Sequence, residues 1–156
     1  MNTTQEALAE TAPEIVSTRV FNVSKELLFQ AYTDPEILQN WWGPKGFTNT
    51  FHEFNLQADG EWNFTMHGPD GVDYKNKIVF IEIEPPEKII FDHVSGPKYR
   101  GCVTFTTTPE AERTQLTYSM TLELPKVYIK LKDLIIVANE ENFDRLEEVF
   151  RKIKKK

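Results

Sequence analysis

With 156 residues, 40% of them hydrophobic and 12% aromatic (eleven Phe), the chain can bury one substantial core, which excludes a disordered protein. A formal net charge of −6 and a pI near 5.1 argue against nucleic acid or an anionic membrane as the main partner. A single cysteine, Cys102, excludes an intramolecular disulfide and a thiolate metal cluster. No basic segment followed by an apolar run opens the chain, and Leu134 to Ala138, the longest apolar stretch, is far too short to span a bilayer. A cytoplasmic protein is therefore expected.

Residues 1–13 are polar and weakly patterned, and Pro13 closes them, so a loose N-terminus is expected before a single domain over 14–156. Glu14 to Val23, rich in β-branched residues, reads as a first strand. Ser24 is placed to cap a helix over Lys25 to Thr33, whose Leu27, Leu28, Ala31 and Tyr32 give a short apolar face. Asp34 caps a second short helix with Pro35 at its first position, where a missing N–H costs nothing. That helix carries Ile37 and Leu38 towards Trp41 and Trp42, and Gly43-Pro44-Lys45-Gly46 breaks it. Adjacent residues on a helix point about 100° apart, so one Trp should cap a cavity mouth while the other packs beneath the helix or lies partly exposed.

From Thr48 to Leu122 the period becomes two. Strand-like runs fall at 48–56, 61–67, 74–84, 87–94, 100–107 and 114–122. They are joined by turn chemistry: Ala58-Asp59-Gly60, Gly68-Pro69-Asp70-Gly71, Pro85-Pro86, Ser95-Gly96-Pro97 and Pro109-Glu110. Links this short connect antiparallel neighbours, which makes the runs a meander. Alternation assigns Phe54, Leu56, Trp62, Phe64, Met66, Val79, Ile81, Ile83, Ile89, Phe91, His93, Val103, Phe105, Leu116, Tyr118 and Met120 to one inward face.

Pro125 ends the sheet. Lys126 to Asp133 alternates like a strand, yet Tyr128, Leu131 and Ile135 fit a helical face, and helix is the reading adopted. Further on, Phe143, Leu146, Phe150 and Ile153 form an apolar stripe, with Asp144, Arg145, Glu147, Glu148, Arg151 and Lys152 solvating the rest. Asn139, four residues before Phe143, belongs on that stripe. The terminal cations Arg151, Lys152, Lys154, Lys155 and Lys156 complement the helix dipole. These elements define an α+β fold. One curved antiparallel sheet of about seven strands wraps a long C-terminal helix, with two short helices between strands 1 and 2 and a hollow between sheet and helix.

The chemistry-bearing residues are sparse. His52, His67 and His93 lie on different strands without metal-ligand spacing, so neither a metal nor another cofactor is expected. No nucleophile elbow, P-loop or dinucleotide fingerprint is present, Cys102 reads as an inert small hydrophobe, and no catalytic residue is nominated. The aromatic interior can be a dense core or a pocket; the set as a whole favours a pocket for a small apolar or amphipathic molecule. Its candidate lining is Trp41, Phe54, Trp62, Phe64, Met66, Ile81, Phe91, His93, Phe105, Tyr118, Asn139 and Phe143. Tyr118, His93 and Asn139 would orient the ligand.

Several short stretches carry a resemblance when taken in order. They are Arg19-Val20-Phe21, Leu28 to Glu36, Trp41-Trp42-Gly43-Pro44, Trp62-Asn63-Phe64, Gly68-Pro69-Asp70-Gly71, Glu82 to Pro86 and Phe143-Asp144-Arg145-Leu146. Through them the chain resembles the START-like (SRPBCC) superfamily of helix-grip proteins. It is most similar to the branch that includes the C-terminal domain of the activator of heat-shock-protein-90 ATPase. The resemblance implies a cavity between sheet and terminal helix. Branch members commonly carry Gly-Trp where this chain has Ala138-Asn139, and paired glycines where it has Asp59-Gly60, so a wider or more polar cavity is expected. The first functional reading is non-enzymatic binding of a small hydrophobic ligand by a monomer or weak dimer. The second is a chaperone-binding role resting on this one domain, and the third a cyclase-like enzyme.

Overall fold

The structure, a computed structural model, describes residues 13–109 and 113–154. The expectation of a loose end over residues 1–13 therefore lies almost wholly outside the described residues, as do Glu110, Lys155 and Lys156. The chain opens with β1 (Glu14–Phe21), α1 (Lys25–Thr33) and α2 (Pro35–Leu38). Strands β2 (Thr48–Phe54), β3 (Glu61–His67), β4 (Asp73–Glu84), β5 (Lys88–His93), β6 (Tyr99–Thr107) and β7 (Thr114–Leu122) follow, and α3 (Pro125–Lys154) ends the described chain. One seven-stranded antiparallel sheet runs in the order β1-β7-β6-β5-β4-β3-β2, so a meander from β2 to β7 is closed by β1 beside β7. This is the helix-grip architecture expected from the sequence, and Lys126 to Asp133 is helical.

Local chemistry sets the helix starts. Ser24 Oγ accepts the Leu27 N–H at 3.1 Å and Asp34 Oδ1 accepts that of Glu36 at 3.0 Å, each satisfying a donor that the helix leaves unpaired. α3 is held mainly through its second half, where Phe143, Leu146 and Phe150 are buried and both Phe rings meet Phe21 edge-on at 5.9 Å. Arg19 of β1 adds ion pairs to Glu140, Asp144 and Glu147 at 2.7, 2.8 and 3.2 Å and lies over the Phe143 ring. Between Pro125 and Ala138 no residue of α3 is buried.

A β-bulge on β4 corrects the alternation. On β4 the register shifts between Phe80 and Glu82, so Ile78 and Phe80 are buried while Val79 and Ile81 are only partly so. Counting back in twos from Ile83 had assigned Ile81 and Val79 inward, but the extra residue in the bulge inverts the phase. On the neighbouring pair, Gly101 of β6 faces Phe91 of β5, and a Cβ there would fall within 3.0 Å of three atoms of the Phe91 ring. Gly101→Ala should therefore cost about 1–3 kcal/mol of stability, as overpacking does. A denaturation midpoint unchanged from that of the parent chain would contradict this packing.

Candidate functional site

The strands' inward positions, α3 and the loop after α2 line a half-open hollow of about 160 Å³. Phe64 and Met66 of β3 and Tyr118 and Met120 of β7 reach it from alternate positions of their strands. Asn76, His93 and Tyr99 come from β4, β5 and β6, while Ile135, Ala138, Asn139 and Asn142 come from α3 and Trp42, Gly43 and Pro44 from the loop after α2. No Asp, Glu, Lys or Arg lines it.

The polar groups there bond largely to one another and to the surrounding fold. Hydrogen bonds join His93 Nδ1 to the Pro97 carbonyl oxygen (2.9 Å) and Nε2 to Asn76 Oδ1 (2.8 Å), and the ring stacks on Tyr99. Burial disfavours charge on the ring and lowers the His93 pKa, outweighing the backbone hydrogen bonds at Pro97 and Ser95 that favour the protonated form. Tyr118 donates its hydroxyl to that of Tyr99 at 3.1 Å. Desolvation pushes Tyr99 up to about 12 and Tyr118 well above the usual phenol range, so both stay neutral at physiological pH. Asn139 Nδ2 donates to Ser17 Oγ of β1 at 3.1 Å, and Asn142 Oδ1 is buried without a protein partner.

A pH dependence follows from His93. Its folded pKa lies below the ordinary 6.5, so the unfolded chain binds the extra proton and stability falls as pH drops through 6.5 towards the folded value. His93→Gln should remove that part of the dependence. Melting temperatures of both proteins between about pH 7.5 and 5 check it, and parallel curves would contradict it.

Of the residues nominated from sequence, Phe64, Met66, His93, Tyr118 and Asn139 meet at the hollow. Phe91 lies beside it, 6.3 Å from the Tyr118 ring. Trp62 and Phe54 belong instead to an aromatic stack with Phe51 and Phe80, and Trp62 lies 4.4 Å from the Phe64 ring. Phe105 packs beneath α1 against Phe29 and Tyr32, and Phe143 packs on Phe21. Ile81 sits at the bulge, away from the hollow. Trp41 is also elsewhere: its ring meets Tyr32 at 4.7 Å and its Nε1 donates to the Ala31 carbonyl at 3.1 Å.

The expected divergence of the two tryptophans is corrected. Both are buried, at 1% and 8% exposure, with rings 5.7 Å apart in one cluster. α2 ends at Leu38, so the angular spacing of a helix does not govern them, and it is Trp42 that lines the hollow. Sequence reasoning missed Trp42, Asn76, Tyr99 and Asn142 as lining residues, and it left Arg145 among the solvated charges. Arg145 is partly buried; its Nη1 donates to the carbonyls of Trp42 (3.3 Å), Gly43 (2.7 Å) and Pro44 (3.1 Å), and Nη2 to that of Asn40 (3.2 Å). It thereby ties the rim of the hollow to α3. Gly43 has φ 101° there, and a Cβ would come 2.8 Å from the Met66 methyl, so the rim needs glycine. The motif Phe143-Asp144-Arg145-Leu146 was the available signal.

A larger groove of about 560 Å³ runs between Ile37 and Asn40 and the end of α3. Its lining includes the exposed Asn40, Glu148 and Lys152, whereas every residue lining the hollow is buried or half-buried and none is Asp, Glu, Lys or Arg, so the hollow is the candidate site. Among the described residues no group of three or more His, Cys, Asp or Glu is placed to hold a metal ion, and no helix is long and apolar enough to cross a membrane.

A sheet gripping a terminal helix around an uncharged hollow defines a START-like α+β domain. The family model for activator of Hsp90 ATPase homolog 1-like proteins matches residues 22–151, and the chain belongs to that family. A search of curated proteins finds no match. Among solved structures, a protein from Arthrobacter aurescens is similar with TM-score 0.82 and 22% identity over 90% of this chain and 87% of that one. One from Nitrosomonas europaea has TM-score 0.80 and 19% identity over 92% and 96%. The AHSA1 protein of Silicibacter pomeroyi has TM-score 0.71 and 18% identity over 89% and 98%. At these identities the likeness concerns the fold.

Proposed function

We propose that this domain binds one small, neutral, largely apolar molecule in the hollow and performs no chemistry on it. The observation that carries this reading is the hollow itself: aromatic rings, two Met thioethers and neutral polar groups, without a charged side chain. A charged ligand would lose its hydration there without gaining a counter-charge. Size narrows the class. Drug-sized ligands occupy roughly 300–1,000 Å³, whereas an apolar cavity of about 150 Å³ accepts benzene. At about 160 Å³ the hollow has room for a single ring. The titratable lining groups, His93, Tyr99 and Tyr118, are hydrogen-bonded within the fold and burial disfavours the charged form of each, which supports binding over catalysis.

Native mass spectrometry of protein purified without denaturation, followed by calorimetric titration with phenol and toluene, tests the proposal. A released small molecule or saturable one-to-one binding is expected. Finding neither an adduct nor saturable binding would overturn it. The family's description favours a second reading, action on a chaperone ATPase. That reading predicts a changed ATPase rate on mixing with an Hsp90-type chaperone.

A further inference from the structure

The outward face of α3 changes character along its length. Lys130, Leu134, Val137 and Glu141 follow at steps of four, three and four, forming one stripe on the side away from the buried Asn139, Phe143 and Leu146. Leu134 and Val137 are 66% and 55% exposed. On their N-terminal side Lys126 and Lys130 are exposed and make no ion pair among the described residues. On their C-terminal side Arg19 pairs with Glu140, Asp144 and Glu147, and Arg151 pairs with Glu147 and Glu148. The half-buried Glu141 accepts the Lys45 N–H through Oε1 but makes no ion pair among the described residues. Arg145 does not offset its charge, because its donors are turned into the Asn40–Pro44 carbonyls.

Between Lys130 and Glu141 the stripe is basic at one end, apolar at its centre and acidic at the other, and is thereby complementary to its own reverse. We propose that this face of α3 is a homodimer surface, with two copies packing α3 antiparallel about a two-fold axis between Ile135 and Ile136. Leu134 of one copy then meets Val137 of the second, and Lys130 meets Glu141, each contact occurring twice as isologous symmetry requires. Isolated exposed Leu or Val residues are ordinary on a surface; the charge reversal around this pair is what selects a second copy. A parallel pair would set lysines against lysines, and an anionic membrane would be repelled by the acidic half. Glu140 and Asp133 lie on the flank of the stripe, and Arg19 of the same copy compensates Glu140.

Sedimentation velocity across a concentration series tests this, at low and high salt. A monomer–dimer equilibrium weakened by salt is expected. Leu134→Glu, at a site exposed in the monomer, should abolish dimerisation with the circular-dichroism spectrum unchanged. Lys130→Glu should weaken it at least about tenfold, and Lys130→Glu with Glu141→Lys in the same chain should restore it. A chain that stays monomeric throughout, a dimer indifferent to Leu134→Glu, or a charge reversal that is not rescued would overturn the proposal. Ligand binding in the hollow is a separate measurement and does not enter these outcomes.

Discussion

Asn139→Trp is expected to abolish uptake of a small aromatic ligand while the domain stays folded. Asn139 is 5% exposed, lines the hollow, and donates to Ser17. An indole at that position projects into a space of about 160 Å³ and occupies much of what a single-ring molecule would use. The substitution breaks the Ser17 bond, which costs about 1 kcal/mol, and it buries added apolar surface, which offsets that loss. Stability should therefore stay within about 2 kcal/mol of the parent chain. Phenol titration and thermal melting, run in parallel, check both halves. Strong destabilisation would mean that the surroundings of Asn139 are closely packed, and unchanged binding would mean that the ligand sits elsewhere.

Arg145→Met should be the most damaging single change on α3. The guanidinium donates to four backbone carbonyls of the segment after α2, and among the described residues no carboxylate pairs with it. Hydrogen bonds to a charged group contribute about 1.5–3 kcal/mol each but are far from additive within one cluster. A loss of about 3–4 kcal/mol is expected, with a red shift in tryptophan fluorescence as Trp42 loses its hold and ligand affinity falls. Arg145→Lys should recover little, because an ammonium lacks the planar fork that spans Asn40 to Pro44. Urea unfolding of the two variants decides it: a loss under about 1 kcal/mol for Arg145→Met would contradict the clamp.

Most of the architecture was legible because it rests on local rules. Period-two runs broken by Gly, Pro and Asp located β2 to β7 within two residues at each end, and Ser24, Asp34 and Pro35 marked both short helices. What escaped depends on contacts distant in sequence. The bulge at Ile81 answers to pairing with β5, which alternation along one strand does not encode. Trp41 and Trp42 were treated as helical when α2 had already ended at Leu38. Arg145 resembled any solvated cation, since its partners are backbone carbonyls about a hundred residues earlier in the chain. Asn139 was placed on the inward stripe correctly, yet its partner Ser17, on β1, could not be read from spacing.

The claim at the centre of this account is that the hollow between sheet and α3 is a ligand site, and its most direct test is an NMR titration of isotope-labelled protein with phenol. The account predicts saturable shifts concentrated at Trp42, Phe64, Met66, Tyr99, Tyr118, Asn139 and Asn142, with benzoate giving none because its charge would be desolvated. Shifts confined to the groove around Ile37, Asn40 and Lys152, or the absence of any saturable shift, would contradict it.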